Sequence, residues 1–194
     1  NKRNLPWRDI HDPYRIWLSE VMLQQTQVNT VIPYYNKWIA KYPTLSSVAE
    51  SQIDDLLKLW EGLGYYSRCR NFFKACQIIM NEYEGSIPSN IIEFKSLPGV
   101  GPYIAGAVMS IAFNNPQPAI DGNINRIMFR YLGLKNQTKY NKIRVYSKLS
   151  TFISINPGDI IQALMDIGSS ICKPNSASCD QCPLSISCKG FLNG

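Results

Sequence analysis

Four thiols crowd into the last stretch of this 194-residue chain, as Cys172-x6-Cys179-x2-Cys182-x5-Cys188. Four thiolates in a short loop at the end of a helix can bind one tetrahedral or cubane centre. Structural zinc usually takes two close pairs, or cysteine with histidine. Here only Cys179 and Cys182 form a close pair, and the outer spacings are wide and unequal. Irregular four-thiolate ligation suits an iron–sulfur cluster. The alternative is two disulfides in a secreted tail, but no charged-then-apolar segment opens the sequence to support export. Cys69 and Cys76, seven apart in a helical pattern, read as semi-buried free thiols.

Two carboxylates are candidates for acid chemistry. Glu20 follows Ile16 and Trp17 by one turn and precedes Leu23 by one turn. A carboxyl group among such neighbours is desolvated, which raises its pKa towards what a general acid needs. The same residues leave open a surface Glu beside polar Gln24. Asp121, in Ile120-Asp121-Gly122-Asn123, opens another helix, where capping is its ordinary task. Two carboxylates on separate helices are also the equipment for cleaving a glycosidic bond, one protonating the leaving group and one facing the oxocarbenium ion.

Leu97-Pro98-Gly99-Val100-Gly101 lies between two helical segments. Its glycines allow a sharp turn, and the helix that follows exposes amides where a phosphate can sit. Plain helix–turn–helix structure would explain it equally well. Leu23-Gln24-Gln25-Thr26-Gln27, at a helix end, offers amides and an apolar wedge suited to filling a DNA stack. Gly64-Tyr65-Tyr66 offers a glycine-hinged aromatic pair for the same task, although paired tyrosines also serve packing. The single histidine, His11, has no partner for metal or nucleophile chemistry and reads as a turn residue.

The elements that must position these groups are helical nearly throughout. Asp12-Pro13 reads as an N-cap and first-turn proline before the apolar spacing of Ile16, Trp17, Val21 and Leu23. Ser51 is read as the cap of a second helix, with Asp54 in the capping-box position and Gly62 and Gly64 ending it. Further helices are expected over 67–83, 90–96, 103–113, 123–131, 140–153 and 158–171, each bounded by Gly, Pro, Asn or Ser. No strand and no internal repeat is evident, so the fold class is all-α. Asn114-Asn115-Pro116-Gln117-Pro118 is the best linker between two lobes.

Composition agrees with a folded core and adds a charge bias. Hydrophobic residues make up 45% of the chain, while 20 Lys and Arg against 14 Asp and Glu give a net charge of +6. Such a balance favours a polyanionic partner, although it is shared by basic proteins with none. No apolar run approaches the ~20 residues of a membrane span.

Together these motifs resemble the MutY-type adenine DNA glycosylases of the endonuclease III and helix-hairpin-helix glycosylase superfamily. The resemblance rests on Trp17-Leu18-Ser19-Glu20-Val21-Met22-Leu23-Gln24-Gln25-Thr26-Gln27-Val28, on Gly62-Leu63-Gly64-Tyr65-Tyr66, on the 97–101 turn, on Asp121-Gly122-Asn123 and on the cysteine spacing. They fall in the family's order and cover nearly the whole chain. The resemblance implies a six-helix barrel over 9–113 with a helix-hairpin-helix near 95–110. It implies a second lobe, from 1–8 and 114–194, that carries a 4Fe–4S cluster on Cys172, Cys179, Cys182 and Cys188, with DNA and the base pocket between the lobes.

The implied activity is removal of adenine mispaired with 8-oxoguanine or guanine, after extrusion of the base. Glu20 matches the acid that protonates N7 of adenine, Asp121 the carboxylate that stabilises or traps the oxocarbenium ion, and Asn123 a residue holding that site together. Trp7, Arg8 and Gln162 match the adenine pocket. Gln25 and Tyr65 match the residues that probe the stack, flanked by Leu23, Gln24 and Thr26, with Leu97, Gly99, Val100 and Gly101 forming the DNA-gripping turn. Tyr103 stands where endonuclease III-like enzymes carry a lysine that forms a Schiff base. A tyrosine cannot form that imine, so the expectation is a monofunctional enzyme leaving an abasic site.

The expected partner is double-stranded DNA holding an adenine mispair, met by a monomer with no membrane. The expected location is with genomic DNA, in the cytoplasm or nucleoid if the source is bacterial. Family members usually continue into a C-terminal domain that recognises 8-oxoguanine, and the sequence here holds no counterpart of it. The alternatives are a thymine or oxidised-pyrimidine glycosylase of the same fold, or a non-catalytic damage-binding module. Two intact carboxylates argue against the last.

Overall fold

A computed structural model describes residues 3–193, and among them every regular element is a helix. In chain order these are α1 (Pro13–Leu23), α2 (Val28–Lys41), α3 (Leu45–Ala49), α4 (Ile53–Trp60), α5 (Ser67–Glu82) and α6 (Ile91–Ser96). Then follow α7 (Pro102–Ala112), α8 (Gly122–Tyr131), α9 (Lys139–Phe152), α10 (Pro157–Ser170) and α11 (Lys189–Leu192). The all-α expectation holds. One isolated bridge, between Cys172 and Ala177, is all the β pairing among the described residues.

Local chemistry sets most boundaries. The Asp12 carboxylate accepts from the amides of Tyr14 and Arg15, Asn90 from those of Ile92 and Glu93, and Thr138 from that of Asn141. Each satisfies donors that a helix start leaves orphaned. Two expectations need correction. Ser51 does not cap α4; its hydroxyl donates to the Val48 carbonyl at 2.7 Å and so closes α3, while Gln52 takes the N-cap position. Helices α2 and α3 were not foreseen. Pro33 lies inside α2, and the capping box of α3 uses Thr44 and Ser47 where the usual pattern has Glu or Gln.

The chain divides into two compact units, one of residues 4–108 and one of Arg3 with residues 109–193. The dividing point falls inside α7 rather than in the expected 114–118 linker, which lies within the second unit, and residues 4–8 fall with the first unit rather than the second. Residues 1, 2 and 194, which the expected second lobe includes, lie outside the described residues.

The first unit has an aromatic core. Trp17 of α1 meets Phe72 of α5 at 4.5 Å and Phe94 of α6 at 5.4 Å between ring centroids, and Trp38 meets Trp60 edge-on at 5.5 Å. These separations suit the edge-to-face preference of aromatic pairs. The Trp38 indole N–H donates to the Tyr14 hydroxyl, which donates to the Tyr42 carbonyl at 2.7 Å, so these two polar ends are satisfied, while the Trp17 indole N–H and the Tyr35 hydroxyl are buried without a hydrogen-bond partner among the described residues. Helix α1 is buried on every side from Ile16 to Met22. That burial places Glu20 inside the unit.

In the second unit, α8 and α10 press together where Gly168 meets Asn123, and α11 reaches α8 where Gly190 meets the Arg130 carbonyl. Arg3 and Asp166 form an ion pair at 2.6 Å. The 114–118 stretch is held by Ser110 of α7, whose hydroxyl donates to the Gln117 carbonyl at 2.7 Å and accepts from the Gln117 amide.

Candidate active site and thiol cluster

Glu20 is 4% exposed, and its Oε2 accepts a hydrogen bond of 2.6 Å from the Tyr103 hydroxyl. The surface alternative for Glu20 is therefore excluded. Tyr103 lies in the first turn of α7, just past the Leu97–Gly101 turn, so the hairpin delivers the phenol to the carboxyl group. A short O–H···O bond of this kind is among the stronger hydrogen bonds.

The hairpin itself is built by its glycines. Gly99 has φ +77°, and a Cβ there would stand 2.9 Å from the Asn71 Cβ on α5, so both backbone angle and space require glycine. Leu97 and Val100 are buried, and Gly99 is exposed. Any contact the turn makes with a phosphate therefore uses backbone amides, while Leu97 and Val100 anchor it.

Two loops expose side chains next to α1. Gln25 is exposed with φ 56°, between half-buried Gln24 and Thr26, and half-buried Leu23 ends α1. Tyr65 is 58% exposed with φ 48°. Both residues hold the left-handed conformation that costs a non-glycine residue free energy. Beneath them lies Arg68 of α5, whose guanidinium donates to carbonyls of both loops. Nothing in the motifs marked Arg68. Its position one turn before Phe72, on the stripe of Cys69, Phe72, Cys76 and Ile79, was the available signal.

Trp7 is buried and meets Tyr35 edge-on at 5.2 Å; Arg8 is half-buried, its amide donating to the Leu5 carbonyl. Burial pushes the Tyr35 phenol up to about 12. Gln162 belongs to the second unit, on α10, with its amide donating to the Gly158 carbonyl at 3.2 Å.

In the second unit Asp121 both caps and presents. Its Oδ1 accepts from the Ile124 amide at 2.6 Å, and its Oδ2 accepts from the Asn123 side-chain amide at 3.3 Å. Arg126, which the sequence did not single out, continues the chain. It donates to Asn123 Oδ1 at 2.9 Å, to the Gly168 carbonyl at 2.7 Å and to the Cys172 carbonyl at 2.9 Å. A line of hydrogen bonds thus joins Asp121 to the backbone of the first cluster cysteine.

Cys172, Cys179, Cys182 and Cys188 all line one cavity of about 180 Å³, walled by Ile127, Ile167, Ile171, Leu184 and Phe191. Short 3-10 turns at Cys179–Gln181 and Ser185–Ser187 fold the loop so that three cysteines return towards Cys172. Burial pushes the Cys182 thiol up, with Cys172, Cys188 and Cys179 adding to the rise and a backbone hydrogen bond from Leu184 opposing it. Arg130 donates to the Cys172 sulfur at 3.3 Å, a contact suited to a thiolate. Among the described residues, no three His, Cys, Asp or Glu side chains close on a single ion. The volume and the apolar wall fit a multi-atom centre held by four thiolates, with Arg130 offsetting its charge.

The model of the HhH-GPD superfamily of base excision DNA repair proteins matches residues 18–150, more than half the chain. The chain belongs to that superfamily. Its relatives include the adenine DNA glycosylase of Buchnera aphidicola subsp. Baizongia pistaciae, 40% identical over 99% of this chain and 55% of the relative. The human adenine DNA glycosylase is 38% identical over 97% of this chain and 37% of its own length. The chain spans about half the length of the Buchnera relatives it matches. Among solved structures, a thermostable thymine-DNA glycosylase superposes with TM-score 0.89 at 28% identity, covering 100% of this chain and 91% of its own. Endonuclease III in a non-covalent DNA complex gives TM-score 0.79 at 23% identity, over 96% and 87%, and so attests the superfamily's fold. No helix among the described residues is long and apolar enough to cross a membrane.

Proposed function

We propose that this chain is a monofunctional DNA glycosylase that hydrolyses the N-glycosidic bond of adenine mispaired with 8-oxoguanine or guanine. The observation that carries the reading is the buried Glu20 carboxyl group bound to a phenol, Tyr103, at the mouth of the hairpin. An acid shielded from water can deliver its proton to a bound base, and a phenol beside it supplies no amine for a Schiff base. Relatives named adenine DNA glycosylase, at 33–40% identity, support adenine as the base.

In this mechanism DNA enters through backbone amides at Gly99 and Gly101, while Gln25 and Tyr65 enter the stack and the adenine leaves it. Trp7 and Arg8 of the first unit and Gln162 of the second are the residues the resemblance assigns to the adenine. Glu20 protonates N7, the glycosidic bond breaks, and Asp121, steadied by Asn123, stabilises the oxocarbenium ion until water completes the hydrolysis. Cys172, Cys179, Cys182 and Cys188 would hold a 4Fe–4S cluster, which when bound fixes the loop carrying Lys173 and Lys189 near phosphates. A division into barrel (9–113) and cluster lobe (1–8 and 114–194) belongs to the same proposal; the presence of two compact units supports it, although those units place 4–8 with the first and 109–113 with the second.

The test is a single-turnover assay with labelled adenine opposite 8-oxoguanine, adenine opposite guanine and thymine opposite guanine, each product split with and without hot alkali. Breakage at adenine only after alkali is the expected result, and Glu20→Gln should abolish it while sparing mispair binding. A second reading has one observation in its favour, the likeness to a thymine-DNA glycosylase at 28% identity. Breakage of the thymine strand instead would establish it.

A further inference from the structure

Arg68 is 8% exposed, and its two terminal nitrogens divide their work. Nη1 donates to the carbonyls of Val21 (3.1 Å), Met22 (2.8 Å) and Gln24 (2.6 Å), at and just beyond the end of α1. Nη2 donates to the carbonyls of Leu63 (3.2 Å) and Gly64 (3.1 Å), and to the Thr26 hydroxyl (3.2 Å). Nη1 holds the segment that carries Glu20 and Gln25, while Nη2 holds the segment that carries Tyr65 and also reaches Thr26 beside Gln25. The guanidinium also lies over the Tyr65 ring at 5.4 Å and the Trp60 ring at 5.5 Å, while the Trp60 indole donates to the Gly64 carbonyl.

Stability alone does not explain the choice of arginine. Its Nε is buried with no hydrogen-bond partner, a donor that an unbranched ammonium would not strand. What the planar fork adds is two donor nitrogens at fixed separation, which a lysine point charge cannot reproduce. The segments it joins each carry one exposed side chain on left-handed backbone, Gln25 at φ 56° and Tyr65 at φ 48°. Such conformations persist only where the surroundings over-determine them, and Arg68 binds the carbonyl immediately before each of these residues.

We propose that Arg68 is a positioning residue that locks the Gln25 and Tyr65 loops together as one probe of the base stack, registered to the helix that carries Glu20. The two loops then enter a duplex as a single rigid tool. The part of this inference that concerns DNA rests on the glycosylase reading above, whereas the locking of the loops does not.

Arg68→Lys in the cluster-loaded protein tests both parts, with Arg68→Gln beside it. In DNA-free protein, amide hydrogen exchange should quicken in residues 23–26 and 62–66 together and stay unchanged in α2 and α10. In single turnover, the active fraction read from the burst amplitude should be kept. The rate per active molecule should fall about tenfold or more, as expected when reacting groups are misplaced by a fraction of an ångström. A residue serving only stability would lower the amplitude and leave that rate alone, which overturns the proposal. Loosening of one loop without the other also overturns it. If neither variant folds, Thr26→Val removes the side-chain acceptor of Nη2, and unchanged exchange in residues 23–26 would count against the lock. Failure of the wild-type protein to cleave any mispair would sink the glycosylase reading, and the exchange result would still decide the role of Arg68.

Discussion

The bond between Tyr103 and Glu20 joins two residues whose sequence separation of 83 gives no hint of contact. A hydrogen bond to a charged group contributes about 1.5–3 kcal/mol net, and the Tyr103 hydroxyl favours the carboxylate that Glu20 becomes on giving up its proton, so Tyr103→Phe should slow excision by roughly ten- to a hundredfold. Mispair affinity should be unchanged, because the phenyl ring keeps its place. Single-turnover rates beside equilibrium binding would show this, and an unaltered rate would reduce the hydroxyl to a bystander. At this scale the resemblance made Glu20 and Tyr103 visible as site residues, but their contact was not legible. The burial of Glu20 was half legible: Trp17-Leu18-Ser19-Glu20-Val21-Met22-Leu23 has almost no polar face, as a helix enclosed on all sides requires. Gln24 beside it pointed the other way. Arg68 and Arg126 are not legible in the sequence, because an arginine in a helix reads as solvent-facing until the carbonyls around it are known.

Helix α8 shows how one residue can serve two tasks. Asp121 caps the helix through Oδ1 and turns Oδ2 towards Asn123. Asparagine caps about as well as aspartate. Asp121→Asn should therefore cost less than about 1 kcal/mol of stability by urea unfolding, yet remove the charge proposed to stabilise the oxocarbenium ion and so stop excision. A large loss of stability with excision retained per folded molecule would leave Asp121 as a cap alone. The seam between α8 and α10 gives a second prediction. A Cβ on Gly168 would stand 2.5 Å from the Asn123 Cβ and 3.3 Å from its Cα, so the helices must part. Overpacking of this kind costs roughly 1–3 kcal/mol. Gly168→Ala should lower the melting temperature by several degrees and slow excision, because Asn123 and the Arg126–Gly168 bond move together. Most helix boundaries were readable to within a residue, since Asp12, Asn90 and Asp121 announce themselves as caps. Helix α2 was hidden by Pro33, whose place within the helix no local pattern reveals.

Over the whole molecule, the six cysteines sort into two populations by what surrounds them. Cys69 and Cys76 are fully buried; burial pushes Cys69 up to about 12 and Cys76 higher still. The folded chain keeps these protons, and that of Tyr35, after an unfolded chain would release them near pH 9 and 10. Their contribution to stability is complete below pH 9 and disappears as pH rises towards 12, because the unfolded state binds fewer protons there. The urea midpoint should accordingly fall from pH 9 to pH 11, and Tyr35→Phe should flatten the fall above pH 10. The half-buried quartet behaves differently, since Cys172, Cys179, Cys182 and Cys188 share an open cavity. At pH 8 iodoacetamide requires a thiolate it can reach. In folded protein loaded with the proposed cluster, mass spectrometry should find no labelled cysteine. Removal of the cluster should expose the four, and denaturation should add Cys69 and Cys76. Label on Cys69 before denaturation would contradict the packing of α5 against Trp17 and Trp38. Label on the quartet while the protein keeps the brown colour of the proposed cluster would mean that these four thiolates do not hold it.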